Sequence, residues 1–374
     1  MDRQMERLIR LAAEQQQSPW LDNLTRSYLS TGRLGELIDA GIRGLTSNPT
    51  IFQKAIQGSS DYDDQFTQLV VSGGATIDHY WEMVLRDISA ALEVFAPVYT
   101  DTGGLDGFVS VEVDPGLAQD PVGTEVAARA LHERLDRPNL MVKIPGTEAC
   151  LPAIRQMIAE GRSINVTLIF SLDRHQKVMD AYMDGIEEYA RTHPDADLSS
   201  IASVASFFIS RVDTDIDRRL DTIATPEALA LRGRAAIAQA KLAYAQFQRT
   251  FSGPRWESLA ARGARVQRPL WASTSTKNPA YPDTLYVDQL IGPDTVNTLP
   301  DATVDAFADH GTLARTIDAG LDEARVTWAE LTAVGVDVDD VAITLEREGL
   351  ASFQASFDDL LAALETKAGS LNVT

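Results

Sequence analysis

Asn-Leu-Met-Val-Lys-Ile-Pro-Gly-Thr (139–147) and Ser-Ile-Asn-Val-Thr-Leu-Ile-Phe (163–170) decide how this chain is read. Each holds a short apolar run of strand-like composition, 139–144 in the first and 163–170 in the second, bounded by turn residues. Between them, residues 147–160 place Leu151, Ile154 and Ile158 on one helical face. Strand, helix and strand within about thirty residues make a parallel unit with its helix outside the sheet. Lys143 sits inside the first run, where a charged amine resists burial. Lysine is scarce here, with six residues against 27 arginines. Arginine cannot lose its proton in a protein, whereas a buried lysine can and then acts as a nucleophile.

Working outward, six further runs have the same character: 19–24, 44–48, 107–114, 202–208, 268–273 and 284–290. Helical patterns separate most of them. Residues 172–191 carry Val178, Tyr182, Ile186 and Tyr189 on one face, and Thr225-Pro226-Glu227 opens a helix over 226–250. Eight strands in one α/β chain of 374 residues predict a (β/α)8 TIM barrel spanning residues 1–374 as a single domain. Residues 1–18 read as an extra N-terminal helix. Residues 318–367 read as C-terminal decorating helices, with Phe353, Phe357, Leu360, Leu361 and Leu364 as their packing stripe. No glycine-rich dinucleotide fingerprint follows the first strand, and no phosphate-binding loop of the Walker type appears.

A formal charge of −21 argues against nucleic acid or anionic membrane as a partner. An anionic substrate would then need a local positive group. Cys150 is the only cysteine, so no intramolecular disulfide forms, and a cytoplasmic setting is expected. Five scattered histidines give no metal-ligand spacing, and no apolar stretch approaches a membrane span.

Strand side chains alternate between faces. Over 109–114, Val109, Val111 and Val113 oppose Ser110, Glu112 and Asp114. Over 164–170, Ile164, Val166, Leu168 and Phe170 oppose Asn165, Thr167 and Ile169. A barrel strand turns its apolar face to the helices, so Glu112, Lys143, Asn165 and Thr167 should converge inside, with Asp22, Asn48 and Ser206 from similar strands. A lysine amine there can attack a ketone and form a Schiff base, an electron sink for cleaving the neighbouring C–C bond. Burial favours the neutral amine and Glu112 favours the ammonium, and the sequence leaves that competition open.

Several segments, in order, closely resemble the transaldolase family, in particular its longer bacterial and plant subfamily. They are Gly-Leu-Thr-Ser-Asn-Pro-Thr-Ile-Phe (44–52), Ser-Val-Glu-Val-Asp-Pro (110–115), Val-Lys-Ile-Pro-Gly-Thr (142–147) and Ile-Asn-Val-Thr-Leu-Ile-Phe-Ser (164–171). Ser-Phe-Phe-Ile-Ser-Arg-Val-Asp (206–213), Trp-Ala-Ser-Thr-Ser-Thr-Lys-Asn-Pro (271–279) and the stretch from Tyr286 to His310 continue the set. The resemblance implies that Lys143 forms the Schiff base, that Glu112 and Thr167 handle a catalytic water, and that Asp22 takes the proton from the C4 hydroxyl. It implies that Asn48 and Asn165 hold the dihydroxyacetone part, that Ser206 and Arg211 form the phosphate site, and that Phe208 lies against the substrate. Ser273 and Lys277 receive no role.

The implied reaction, in the pentose phosphate pathway, transfers a dihydroxyacetone unit between sugar phosphates. Sedoheptulose 7-phosphate and glyceraldehyde 3-phosphate give erythrose 4-phosphate and fructose 6-phosphate. It implies no cofactor and no metal, since the lysine is itself the electron sink. A fructose 6-phosphate aldolase-type lyase and a non-catalytic sugar-phosphate-binding barrel stand as alternatives, and monomer or homodimer is left open. Each residue also has a structural reading. Lys143 could simply pair with Glu112, Asp22 could cap a loop, Asn48 could serve the turn before Pro49, and Arg211 could pair with Asp213 or Asp215.

Overall fold

A computed structural model describes residues 6–371. Eight strands close into a parallel barrel in chain order: β1 (Gln17–Leu21), β2 (Gly44–Thr46), β3 (Val109–Glu112), β4 (Leu140–Pro145), β5 (Ile164–Ile169), β6 (Ser203–Phe208), β7 (Arg268–Ala272) and β8 (Thr295–Leu299). Pairing of β1 with β8 closes the sheet, so among the described residues this barrel has no open edge. Every strand residue is buried, because one face meets helices and the other meets the barrel interior. The (β/α)8 barrel with flanking helices is therefore the fold.

Seven of the eight expected strands are present, with ends shifted by at most three residues, and one is not. Residues 284–290 form a helix, Leu285–Gln289, whose Tyr286 and Val287 are buried together. Thr284 Oγ1 donates to Asp288 Oδ2 at 2.9 Å, a contact between residues four apart that suits a helical turn. The eighth strand is Thr-Val-Asn-Thr-Leu (295–299), whose polar residues face inward and conceal it. Thr295 receives Gln17 Nε2 at 2.9 Å, and Asn297 Oδ1 receives Thr274 Oγ1 at 2.8 Å.

The helices need similar adjustment. The N-terminal helix spans Glu6–Gln15 and ends where Gln16 takes a left-handed backbone, so residues 17 and 18 belong to β1. Residues 1–5 of that expectation lie outside the described residues. The helix after β4 starts at Leu151, and the segment 226–250 divides into Pro226–Leu229 and Ala235–Thr250 around Gly233, whose φ of 70° no continuing helix accepts. Thr225 caps the first piece, accepting the Ala228 N–H at 3.2 Å. The C-terminal segment forms Leu321–Ala333 and Val338–Leu371. The second of these crosses the barrel beside Pro49–Gly58, burying Phe353, Phe357, Leu360 and Leu364 with Leu361 half-buried.

Strand β5 breaks its own alternation. Its register shifts between Val166 and Ile169, and Leu168 adopts φ 61°. Ile169 consequently rejoins the Val166 face, both approaching Gly146, instead of following Asn165 and Thr167 inward.

Candidate active site

Register builds the centre. Glu112, Lys143 and Asn165 are lateral partners on β3, β4 and β5, so their inward side chains share one layer of the barrel. Lys143 is 5% exposed and Glu112 6%. Lys143 Nζ lies 2.9 Å from Glu112 Oε2 and donates to the Ser47 carbonyl at 2.9 Å. Among the described residues neither Glu112 oxygen has an aligned hydrogen-bond donor, so the contact is one of charge more than of direction. Asn165 is fixed on both sides: its Nδ2 donates to Ser110 Oγ at 3.1 Å and its Oδ1 accepts from Ser206 Oγ at 2.7 Å.

A cavity of about 380 Å³ opens above this layer at the C-terminal ends of the strands. Asp22, Asn48, Lys143, Thr167, Ser206, Phe208 and Arg211 all line it, whereas Glu112 and Asn165 sit one side chain behind. The nine residues expected from sequence are thus gathered in one place. Asp22 follows β1 and accepts Thr46 Oγ1 at 2.8 Å. Asn48 caps Pro49–Gly58, its Oδ1 accepting the Ile51 N–H at 3.0 Å, which leaves its amide hydrogens for another partner. The Ser206 hydroxyl proton goes to Asn165, toward the lysine layer rather than toward Arg211.

Arg211 does not pair with the nearby aspartates. Asp213 accepts the Ala236 N–H at 2.7 Å and the Tyr286 hydroxyl at 2.8 Å, and Asp215 pairs with Arg218 and Arg219. Among the described residues no hydrogen bond or ion pair reaches the Arg211 guanidinium, which lies 5.0 Å from the Phe208 ring centre and 5.9 Å from that of Phe353. Its five N–H donors are available to an anion.

Three contributors were not assigned from sequence. Lys54, Lys277 and Phe353 join the lining from Pro49–Gly58, from the loop after β7 and from the C-terminal helix. Three of the six lysines therefore face this cavity, so the scarcity that singles out Lys143 also points to Lys54 and Lys277. Together with Arg211 they answer the charge problem of a strongly acidic chain.

Burial raises the Asp22 carboxyl above its ordinary value, outweighing the pull of Lys143, the Thr46 hydroxyl, Arg211 and Lys277. Glu112 is likewise raised by burial, against the pull of Lys143, and the Asp22 charge adds to the rise. Partial burial and then the charge of Arg211 lower the Lys277 ammonium. A buried amine, two raised carboxyls and a free guanidinium around one pocket suit covalent carbonyl chemistry on an anionic substrate. Among the described residues no group of His, Cys, Asp and Glu side chains could hold a metal ion, and no helix is long and apolar enough to cross a membrane.

Residues 19–364 match the family model described as transaldolase/fructose-6-phosphate aldolase. The chain is 50% identical over 352 residues to a transaldolase of Frankia alni, covering 94% of each protein. It is 52% identical to a transaldolase of Thermobifida fusca over 91% of this chain and 93% of that one. It is 48% identical to transaldolase 1 of Streptomyces coelicolor over 96% and 95%.

Proposed function

The chain belongs to the transaldolase/fructose-6-phosphate aldolase family, and from that premise we propose that it is a transaldolase working through a Schiff base on Lys143. The observation that carries the mechanism is the buried Lys143–Glu112 pair at the floor of a cavity that also holds Asp22 and an unpaired arginine.

The neutral Lys143 amine adds to the C2 ketone of a ketose phosphate, and the carbinolamine loses water to give an iminium ion. Glu112, 2.9 Å from Nζ, takes the proton of the resting ammonium so that the neutral amine can attack, and later gives that proton to the carbinolamine hydroxyl as it leaves as water, with Thr167 beside the same centre. Asp22 then removes the C4 hydroxyl proton. The C3–C4 bond breaks, its electron pair enters the iminium as an enamine, and an aldose phosphate leaves. The acceptor aldehyde takes the enamine carbon, Asp22 returns its proton to the new alkoxide, and hydrolysis frees Lys143.

Asn165, held by Ser110 and Ser206, and Asn48, held by its helix, orient the dihydroxyacetone hydroxyls. Arg211 and Lys277 both line the cavity, close enough for the Arg211 charge to act on Lys277, and receive the phosphate as a planar fork and a point charge.

Turnover of fructose 6-phosphate with erythrose 4-phosphate tests this reading. Sedoheptulose 7-phosphate should form only when both sugars are present. Release of free dihydroxyacetone without an acceptor would make the protein an aldolase, and binding without turnover would make it a binding barrel.

A further inference from the structure

Glycine is a poor helix former, yet Gly349 lies well inside the long C-terminal helix (Val338–Leu371). The reason is above the barrel. A methyl group at this position would meet Leu168 Cδ2 at 3.0 Å, Arg211 Nη1 at 3.3 Å and Phe170 Cζ at 3.6 Å. Four residues on, one turn along the same face, Phe353 is 4% exposed and its ring centre lies 5.9 Å from the Arg211 guanidinium carbon. Phe208 approaches that carbon from β6 at 5.0 Å. Leu168 reaches this point because the β5 bulge sets it in a left-handed backbone.

The guanidinium is thus surrounded by apolar groups from three elements and held by no hydrogen bond or ion pair among the described residues. The charges of Asp22, Glu112 and Glu348 act on it without forming an ion pair, so the direct contacts that orient it are cation–π, and rings constrain a planar cation without occupying its N–H donors. A carboxylate partner would hold Arg211 as well but would compete with an incoming phosphate. We propose that Phe353 and Gly349 of the C-terminal helix are positioning residues for Arg211, so that this helix sets the affinity for the phosphate of the substrate. The proposal rests on the reading of Arg211 as the phosphate holder.

Three probes separate phosphate recognition from lysine chemistry. Fructose 6-phosphate carries both a ketone and a phosphate, dihydroxyacetone only the ketone, and inorganic phosphate only the anion. Borohydride trapping gives half-saturating concentrations for the two ketones, and calorimetry gives phosphate affinity. In Phe353→Leu the half-saturation for fructose 6-phosphate, relative to that for dihydroxyacetone, should rise roughly fivefold to twentyfold, the range of a lost partly desolvated cation–π contact. Inorganic phosphate should weaken in parallel, and Phe353→Tyr, which keeps the ring, should recover most of the loss.

Equal weakening of both ketones would reduce Phe353 to general packing and overturn the proposal. Gly349→Ala serves where Phe353→Leu folds poorly, and it should shift the same ratio by displacing the guanidinium; an unshifted ratio would overturn the proposal. If the unaltered protein traps neither ketone, the Schiff-base reading fails and inorganic phosphate alone decides. Weaker phosphate binding in Phe353→Leu would then uphold the clamp, and unchanged binding would overturn it.

Discussion

Replacing Arg211 with lysine isolates the phosphate site from the chemistry below it. The guanidinium has no hydrogen bond or ion pair to lose among the described residues, so the substitution orphans no buried carboxylate. What changes is the fork, since lysine offers a single ammonium where arginine offers two parallel N–H donors. A charge-assisted hydrogen bond contributes about 1.5–3 kcal/mol net, so losing one of a bidentate pair should raise KM for fructose 6-phosphate roughly tenfold to 150-fold. The value of kcat should hold, because Lys143, Glu112 and Asp22 are untouched. Stability should barely move. The cation–π term is about 1 kcal/mol. Spread over the unfolding entropy of 374 residues, at roughly 2 cal/mol/K each, that lowers Tm by only about 1 °C. Steady-state kinetics and a thermal melt give both numbers. A collapse of kcat at unchanged KM, or a Tm loss of many degrees, would refute the reasoning.

Three further outcomes follow from buried charges. Asp22 must be ionised to act as a base and its carboxyl is raised by burial, so the acid limb of kcat should lie above the ordinary carboxylate range, with activity growing as pH rises through it. Asp22→Asn should lower kcat by at least about 100-fold, and a limb near pH 4 in the unaltered enzyme would contradict the assignment. At the opposite end of the barrel, Asp106 accepts from Ser18 at 2.7 Å and pairs with the buried Arg268 at 3.1 Å, so Asp106→Ala should cost about 3–5 kcal/mol in denaturant titrations while kcat/KM is retained. His175 is fully buried against Phe207, and its imidazole is pushed down to about 4 from 6.5. The unfolded chain therefore binds this proton first, so the His175 contribution is whole above pH 6.5 and falls away toward pH 4, by roughly 3 kcal/mol; a pH series of denaturant midpoints that is flat over that range would exclude it.

The sequence is informative here where a single strong constraint acts. An alternating pattern with a lysine in it can be read directly, because period 2 fixes the face and burial of an amine demands a reason; Lys143, Glu112 and Asn165 accordingly share a layer. The same alternation fails at Leu168, where a left-handed backbone in a non-glycine residue goes with close packing against Gly349 of the distant C-terminal helix and leaves no local signature. It fails again at β8, whose inward Thr295 and Asn297 have the composition of a turn, while Leu285–Gln289 has the composition of a strand but the spacing of a helix. Phe353 was legible only as part of a packing stripe, since its approach to Arg211 joins residues more than 140 positions apart.

Among the described residues three lysines line the cavity, and one of them, Lys143, lies beside a carboxylate on the barrel floor. Borohydride reduction in the presence of fructose 6-phosphate, followed by intact mass and peptide mapping, asks which of them reacts. A single reduced three-carbon adduct is expected on Lys143 and should be lost in Lys143→Ala. An adduct on Lys54 or Lys277, or none in folded protein that binds the sugar, would contradict it.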